Sequence, residues 1–144
     1  MRCLKRKAGA KMRVYISHSI RGKHGINATK EQMEHNNNLA KSFGRLIKNH
    51  FVHIDFYIPG DHDEFVLIAY NKGYLTEAQI LDADCEIVDH CNFVIALAPD
   101  GYISRGMKVE ADYAVTHGIP VLIVDGFTKK TVDVINGQLA RSIR

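Results

Sequence analysis

Nowhere in this chain of 144 residues does an apolar run approach the roughly 20 residues that a membrane span requires. The start also lacks the apolar stretch of a secretory signal, so a soluble protein of the cytoplasm is expected, with no membrane partner. Cysteine is scarce. Cys3, Cys85 and Cys91 are odd in number, and a six-residue separation on a helix does not bring Cys85 and Cys91 to one face. Zinc-type spacing is therefore missing, and free thiols in a reducing compartment are expected. The eight histidines form no HExxH pattern and no partner spacing, which leaves them surface or structural roles. Internal repeats and low-complexity segments are absent as well.

A clustered basic groove with stacking aromatics, the footprint of a protein that binds a nucleic-acid polymer, is also missing. The net charge of +3 looks like such a hint but is unevenly placed. Residues 1–13 carry Arg2, Lys5, Arg6, Lys7, Lys11 and Arg13 with no acid, which leaves 13 basic residues (19 minus 6) against 16 acids in the remainder. The folded part thus carries about −3. Residues 1–11 read as a flexible basic arm or leader, and residues 12–144 as one domain.

What is present is a 46% hydrophobic chain of a size suited to one core. Met12 to Ser17 is short, apolar and β-branched, as a central first strand would be. Thr29 is placed to cap a helix to about Asn49, with Met33, Leu39, Phe43 and Ile47 at near-helical spacing. Phe51 to Ile58 reads as a second strand ended by Pro59-Gly60, and Asp63 to Asn71 as a short helix broken by Gly73. Thr76 to Cys91 forms a further helix with Thr76 as N-cap. Asn92 to Ala98 and Ile119 to Val124 are continuous apolar runs of the kind covered on both faces. Between them Ser104 to His117 is helical, stopped by Gly118 and Pro120. A last helix from Lys129 to about Arg141 is interrupted at Gly137. Strands alternating with helices predict an α/β fold: a flavodoxin-like, doubly wound parallel sheet of four to five strands.

In that topology the segments after the first and third strands, Ser19 to Gly22 and Ser104 to Gly106, meet at the carboxyl edge of the sheet, where open α/β folds bind ligands. Both offer hydroxyls and backbone N–H groups near the start of a helix or turn, a chemistry suited to phosphate. Serine and glycine also make ordinary turns, so two such loops at adjacent strand ends count for more than one. Glu110 shares a helix face with Met107 and Ala114, the side expected to face the core or a cleft, although pairing with Arg105 or Lys108 at the surface matches the periodicity as well. Asp84 lies on the stripe Ile80, Asp84, Ile87, Cys91. A slightly rotated helix instead puts Leu81 and Val88 at the buried edge and Asp84 at its wet margin, and spacing alone favours that second arrangement. Two inward carboxyls can divide a glycoside cleavage, with a separation of about 5 Å marking the covalent, retaining route. Asp61, His62, Asp63 and Glu64 are consecutive and cannot converge on one metal ion. The run Asn36 to Asn38 reads as a solvated helix face, and Cys91 as core packing.

Taken together, Tyr15-x-x-x-Ser19-Ile20-Arg21-Gly22, Asp84 eight residues before Asn92, and Ser104-x-Gly106-x-x-x-Glu110 resemble the nucleoside 2-deoxyribosyltransferase superfamily, and within it the 2′-deoxynucleoside 5′-phosphate N-hydrolases. The resemblance spans residues 12 to about 125. It implies Glu110 as nucleophile on C1′, Asp84 managing the proton on the departing base, and Tyr15 orienting Glu110. Ser19, Ile20, Arg21 and Gly22 would surround the sugar phosphate, and Ser104 and Gly106 would complete that pocket. It further implies a small-molecule nucleotide substrate, no metal or other cofactor, and a homodimer whose second subunit closes the site. The chain departs from the pattern at His18 and Lys23, where those hydrolases carry glycine. A base-exchanging deoxyribosyltransferase and a non-catalytic nucleotide-binding module are the competing expectations.

Overall fold

Val14, Ile16, Val94 and Ile95 are wholly buried β-branched residues, and they sit on the two strands that form the middle of the sheet. In the computed structural model, which describes residues 11–142, four strands pair in parallel: β1 (Met12–His18), β2 (Ile54–Tyr57), β3 (Phe93–Leu97) and β4 (Val121–Val124). Their spatial order is β2-β1-β3-β4. Helices α1 (Lys30–His50), α2 (Asp63–Asn71), α3 (Glu77–Asp89), α4 (Arg105–Thr116) and α5 (Lys129–Ser142) fill the connections. The fold is a flavodoxin-like α/β domain with one four-stranded sheet.

Strand alternation divides the core in two. Val14, Ile16, Ile95 and Leu97 pack with Ala40, Phe43 and Ile47 of α1 and Ile135 of α5. On the other face Tyr15 and Val94 pack with Val88 at the end of α3 and Ala114 of α4. Thr29 and Thr76 cap α1 and α3 through complete capping boxes with Gln32 and Gln79, each cap contributing about 1 kcal/mol. Gly118 ends the segment after α4 at φ +73°, a conformation that costs any residue with a Cβ.

Several expectations change. The second strand begins at Ile54 rather than Phe51, because the Phe51 N–H bonds to Ile47 O and closes α1, and a turn through Val52 and His53 follows. The run Ile119 to Val124 is not covered on both faces: β4 is an edge strand, and Ile123 is 66% exposed. Gly137 does not interrupt α5, since one helical glycine costs about 1 kcal/mol, which burial of Thr131, Ile135 and Gln138 along the same helix offsets. The Asn36 to Asn38 run is not a solvated face. Asn36 and Asn37 are half-buried, and the Asn36 amide donates to Ile20 O at 2.9 Å, tying α1 to the loop after β1. The basic arm falls outside the described residues except for Lys11, which is exposed. No helix of the described residues is long and apolar enough to cross a membrane.

Candidate active site

β1 ends at the carboxyl edge of the sheet with Tyr15 and Ser17 two residues apart, so both side chains leave the same face of the strand. That face meets α4, whose buried stripe is Met107, Glu110 and Ala114. The result is a carboxyl group held from both sides. The Tyr15 hydroxyl donates to Glu110 Oε2, and the Ser17 hydroxyl donates to Glu110 Oε1 at 2.7 Å. Tyr15 and Ser17 are essentially inaccessible to solvent and Glu110 is 5% exposed. No basic side chain forms an ion pair with Glu110 among the described residues.

Burial dominates the titration of this carboxyl and pushes it up to about 7; the two hydroxyl donors oppose the rise, and the charge of Asp84 adds to it. Asp84 itself is raised to about 6 by burial. It is half-buried on α3, beside the buried Cys85 and Val88, which is the rotated arrangement that spacing favoured. The Tyr15 hydroxyl is raised well above its ordinary range, first by burial and then by the charges of Glu110 and Asp84. Three groups separated by up to 95 positions in sequence thus form one electrostatic unit.

The two serine loops are adjacent, as β1 and β3 are neighbours. Ser104 is the N-cap of α4, its oxygen accepting from the Met107 N–H at 3.2 Å. It stands about 9 Å along the helix axis from Glu110 at 1.5 Å per residue. Ser19 accepts from the Gly22 N–H at 2.8 Å, closing a tight turn with Gly22 at φ +62°. The Gly22 N–H is therefore not a free donor, contrary to the expectation from sequence; each serine keeps its own O–H to donate. A Cβ on Gly22 would stand 2.9 Å from the Asn36 amide nitrogen, so close approach and positive φ both call for glycine there. Gly106 faces Leu81 of α3, where a Cβ would meet ordinary van der Waals contact at 3.5 Å. Ile20 and Arg21 are exposed at the tip of the turn.

Two residues of the site were missed from sequence. Ser17 had a readable signal, its period-two spacing from Tyr15. Tyr57 had none, because its place depends on the β1–β2 register that sets it opposite Tyr15, with the rings stacked at 5.7 Å and 16°. The row continues to His62, stacked on Tyr57 at 5.2 Å. Burial and the charge of Asp84 both raise the Tyr57 hydroxyl, which sets this ring within electrostatic reach of Asp84. Asp61 pairs with Lys48 at 3.3 Å, and no three His, Cys, Asp or Glu side chains among the described residues converge as a cation site. Comparison with protein-family models, with curated proteins and with solved structures finds no match to this chain.

Proposed function

We propose that the protein is an N-glycosidase that cleaves (deoxy)nucleoside 5′-monophosphates to free base and sugar 5-phosphate, as its resemblance to the 2′-deoxynucleoside 5′-phosphate N-hydrolases implies. The observation that carries this reading is Glu110, dry, clasped by Tyr15 and Ser17, and within electrostatic reach of a second raised carboxyl. A Glu110 oxygen attacks C1′ as the bond from C1′ to the base nitrogen breaks, and Asp84 delivers a proton to the departing base. Water then attacks C1′ with Asp84 taking its proton, and Glu110 leaves as the carboxylate. The sugar phosphate lies against Ser19, Ile20, Arg21 and Gly22 and the amino end of α4 at Ser104 and Gly106. There the hydroxyls and helix dipole favour an anion. No metal or cofactor takes part in these steps.

In the free protein burial raises both carboxyls above the ordinary range. Bound nucleotide sets their roles apart: a base stacked over Asp84 removes its remaining water and favours its protonated form, while positive charge developing at C1′ favours ionised Glu110. A second copy of the chain covers the site in this reading, supported by the exposed Phe65, Leu67 and Tyr74 on α2 and the turn after it. Incubation with a panel of nucleotides and nucleosides, followed by chromatography, tests the proposal. Free base and sugar phosphate from monophosphates, lost in Glu110→Gln, are expected. Base exchange on unphosphorylated nucleosides, or no turnover of any member, refutes it.

A further inference from the structure

The Tyr15 hydroxyl that clasps Glu110 stands at the far end of a long side chain, so a small tilt of the ring carries it out of hydrogen-bond range of the carboxyl. Ser17 differs, since its hydroxyl is bonded directly to Cβ and holds Glu110 Oε1 at 2.7 Å from a short lever. The clasp therefore depends on what fixes the Tyr15 ring. Parallel pairing of β1 with β2 sets Tyr57 opposite Tyr15, and the two rings stack 5.7 Å apart with 16° between their planes. Tyr57 is itself held: His62, the residue before α2, stacks on it at 5.2 Å and 19°, and the Arg13 guanidinium, tethered to Asp55 at 3.4 Å, lies 5.7 Å from its centroid. We propose that Tyr57 is a positioning residue, the brace that fixes the Tyr15 ring so that its hydroxyl stays on Glu110.

The brace acts through its ring and not through charge. Burial and Asp84 raise the Tyr57 hydroxyl above its ordinary value of 10.0, against the opposing influence of Arg13, so Tyr57 is neutral wherever Glu110 titrates. The titratable groups within reach of Glu110 are Tyr15 on β1 and Asp84 and Cys85 on α3. Those within reach of Tyr57 are Arg13 and Tyr15 on β1, His62, Asp84, and Cys91 after α3. A neutral replacement at Tyr57 leaves every one of them in place and changes only the hold on Tyr15. The Tyr15 hydroxyl favours the ionised form of Glu110 against burial, so a loosened ring raises the carboxyl further. Entry of water where the ring had been would instead lower it, by relieving burial. The sign thus separates a positioning residue from one that merely fills space. The inference concerns the clasp and stands independently of the chemistry assigned to Glu110.

The test follows the Glu110 carboxyl carbon by NMR as pH is varied, in the full chain labelled with ¹³C-glutamate, the signal being assigned by its loss in Glu110→Gln. Tyr57→Phe keeps the ring and should leave the midpoint in place. Tyr57→Leu should raise it by roughly one pH unit, the scale of one charge-assisted hydrogen bond. Tyr57→Met fills the space with a flexible chain that has no planar face, and it gives the same reading should the leucine variant not fold. In a Tyr15→Phe background, where the donor is already gone, neither change should raise the midpoint further. A midpoint that stays or falls in the leucine and methionine variants overturns the proposal. So does an equal rise in Tyr57→Phe, or a full further rise in the Tyr15→Phe background.

Discussion

Glu110→Gln should change the pH dependence of stability in a way that needs no substrate to observe. In the native protein burial holds this carboxyl at about 7 against an ordinary value of 4.5. Between those values the folded chain keeps a proton that the unfolded chain has released, so stability falls as pH rises through the window and levels off above it. At 1.36 kcal/mol per pH unit the full loss is roughly 3 kcal/mol. Glutamine keeps the shape and cannot ionise, so that loss disappears. One of the two hydroxyls, from Tyr15 or Ser17, must turn to accept from the new amide, and this adjustment shifts the variant's stability equally at every pH. The slope is therefore the readout. Thermal melts of both proteins from pH 4 to 9 should run parallel near pH 4, diverge between about 4.5 and 7 in favour of the variant, and run parallel again above. At about 2–4 °C per kcal/mol the change in relative Tm is roughly 6–12 °C. Curves with a constant offset across the range, or a divergence complete by pH 5, would refute the claim that the Glu110 carboxylate is held at a cost.

Removing the Ser17 hydroxyl deletes one charge-assisted bond of about 1.5–3 kcal/mol. The acidic limb of the rate profile in Ser17→Ala should therefore move up by roughly one to two pH units, and an unmoved limb would show that this bond does not tune Glu110. Ser19→Ala and Ser104→Ala should each weaken use of a nucleoside monophosphate by roughly ten- to a hundredfold with little change for the free nucleoside, as expected for lost phosphate donors. Equal losses on both substrates would remove the phosphate from these loops. Light scattering at micromolar concentration should report a dimer, and an active monomer would refute closure of the site by a second copy. Deleting residues 1–11 should leave turnover and melting temperature nearly unchanged, and a large loss of activity would assign the basic arm a role in the site.

Much of the framework was legible because it depends on local chemistry. Thr29 with Gln32 and Thr76 with Gln79 announce helix starts within four residues, and the apolar run around Phe93 to Leu97 announces a strand covered on both faces. The shared face of Met107, Glu110 and Ala114 on α4 was readable from helical period, but whether it turns inward was decided by packing. Resemblance added the roles proposed for Tyr15, Asp84 and Glu110, and the fold sets these three groups within electrostatic reach of one another. What local pattern does not carry is long-range register. Ser17 belongs to the site because β1 presents alternate residues to α4, and Tyr57 because the β1–β2 pairing sets it opposite Tyr15. Burial of Ile123 was misjudged for the same reason: the apolar run specified a strand, but only the sheet order made it an edge. The ionisation of Glu110 is likewise a tertiary property. Sequence set Glu110 at helical spacing from Met107 and Ala114; only the tertiary packing turned that face inward, and exclusion of water by the packed sheet, two hydroxyls from β1 and a second carboxyl on α3 raised the pH at which the carboxyl holds its proton.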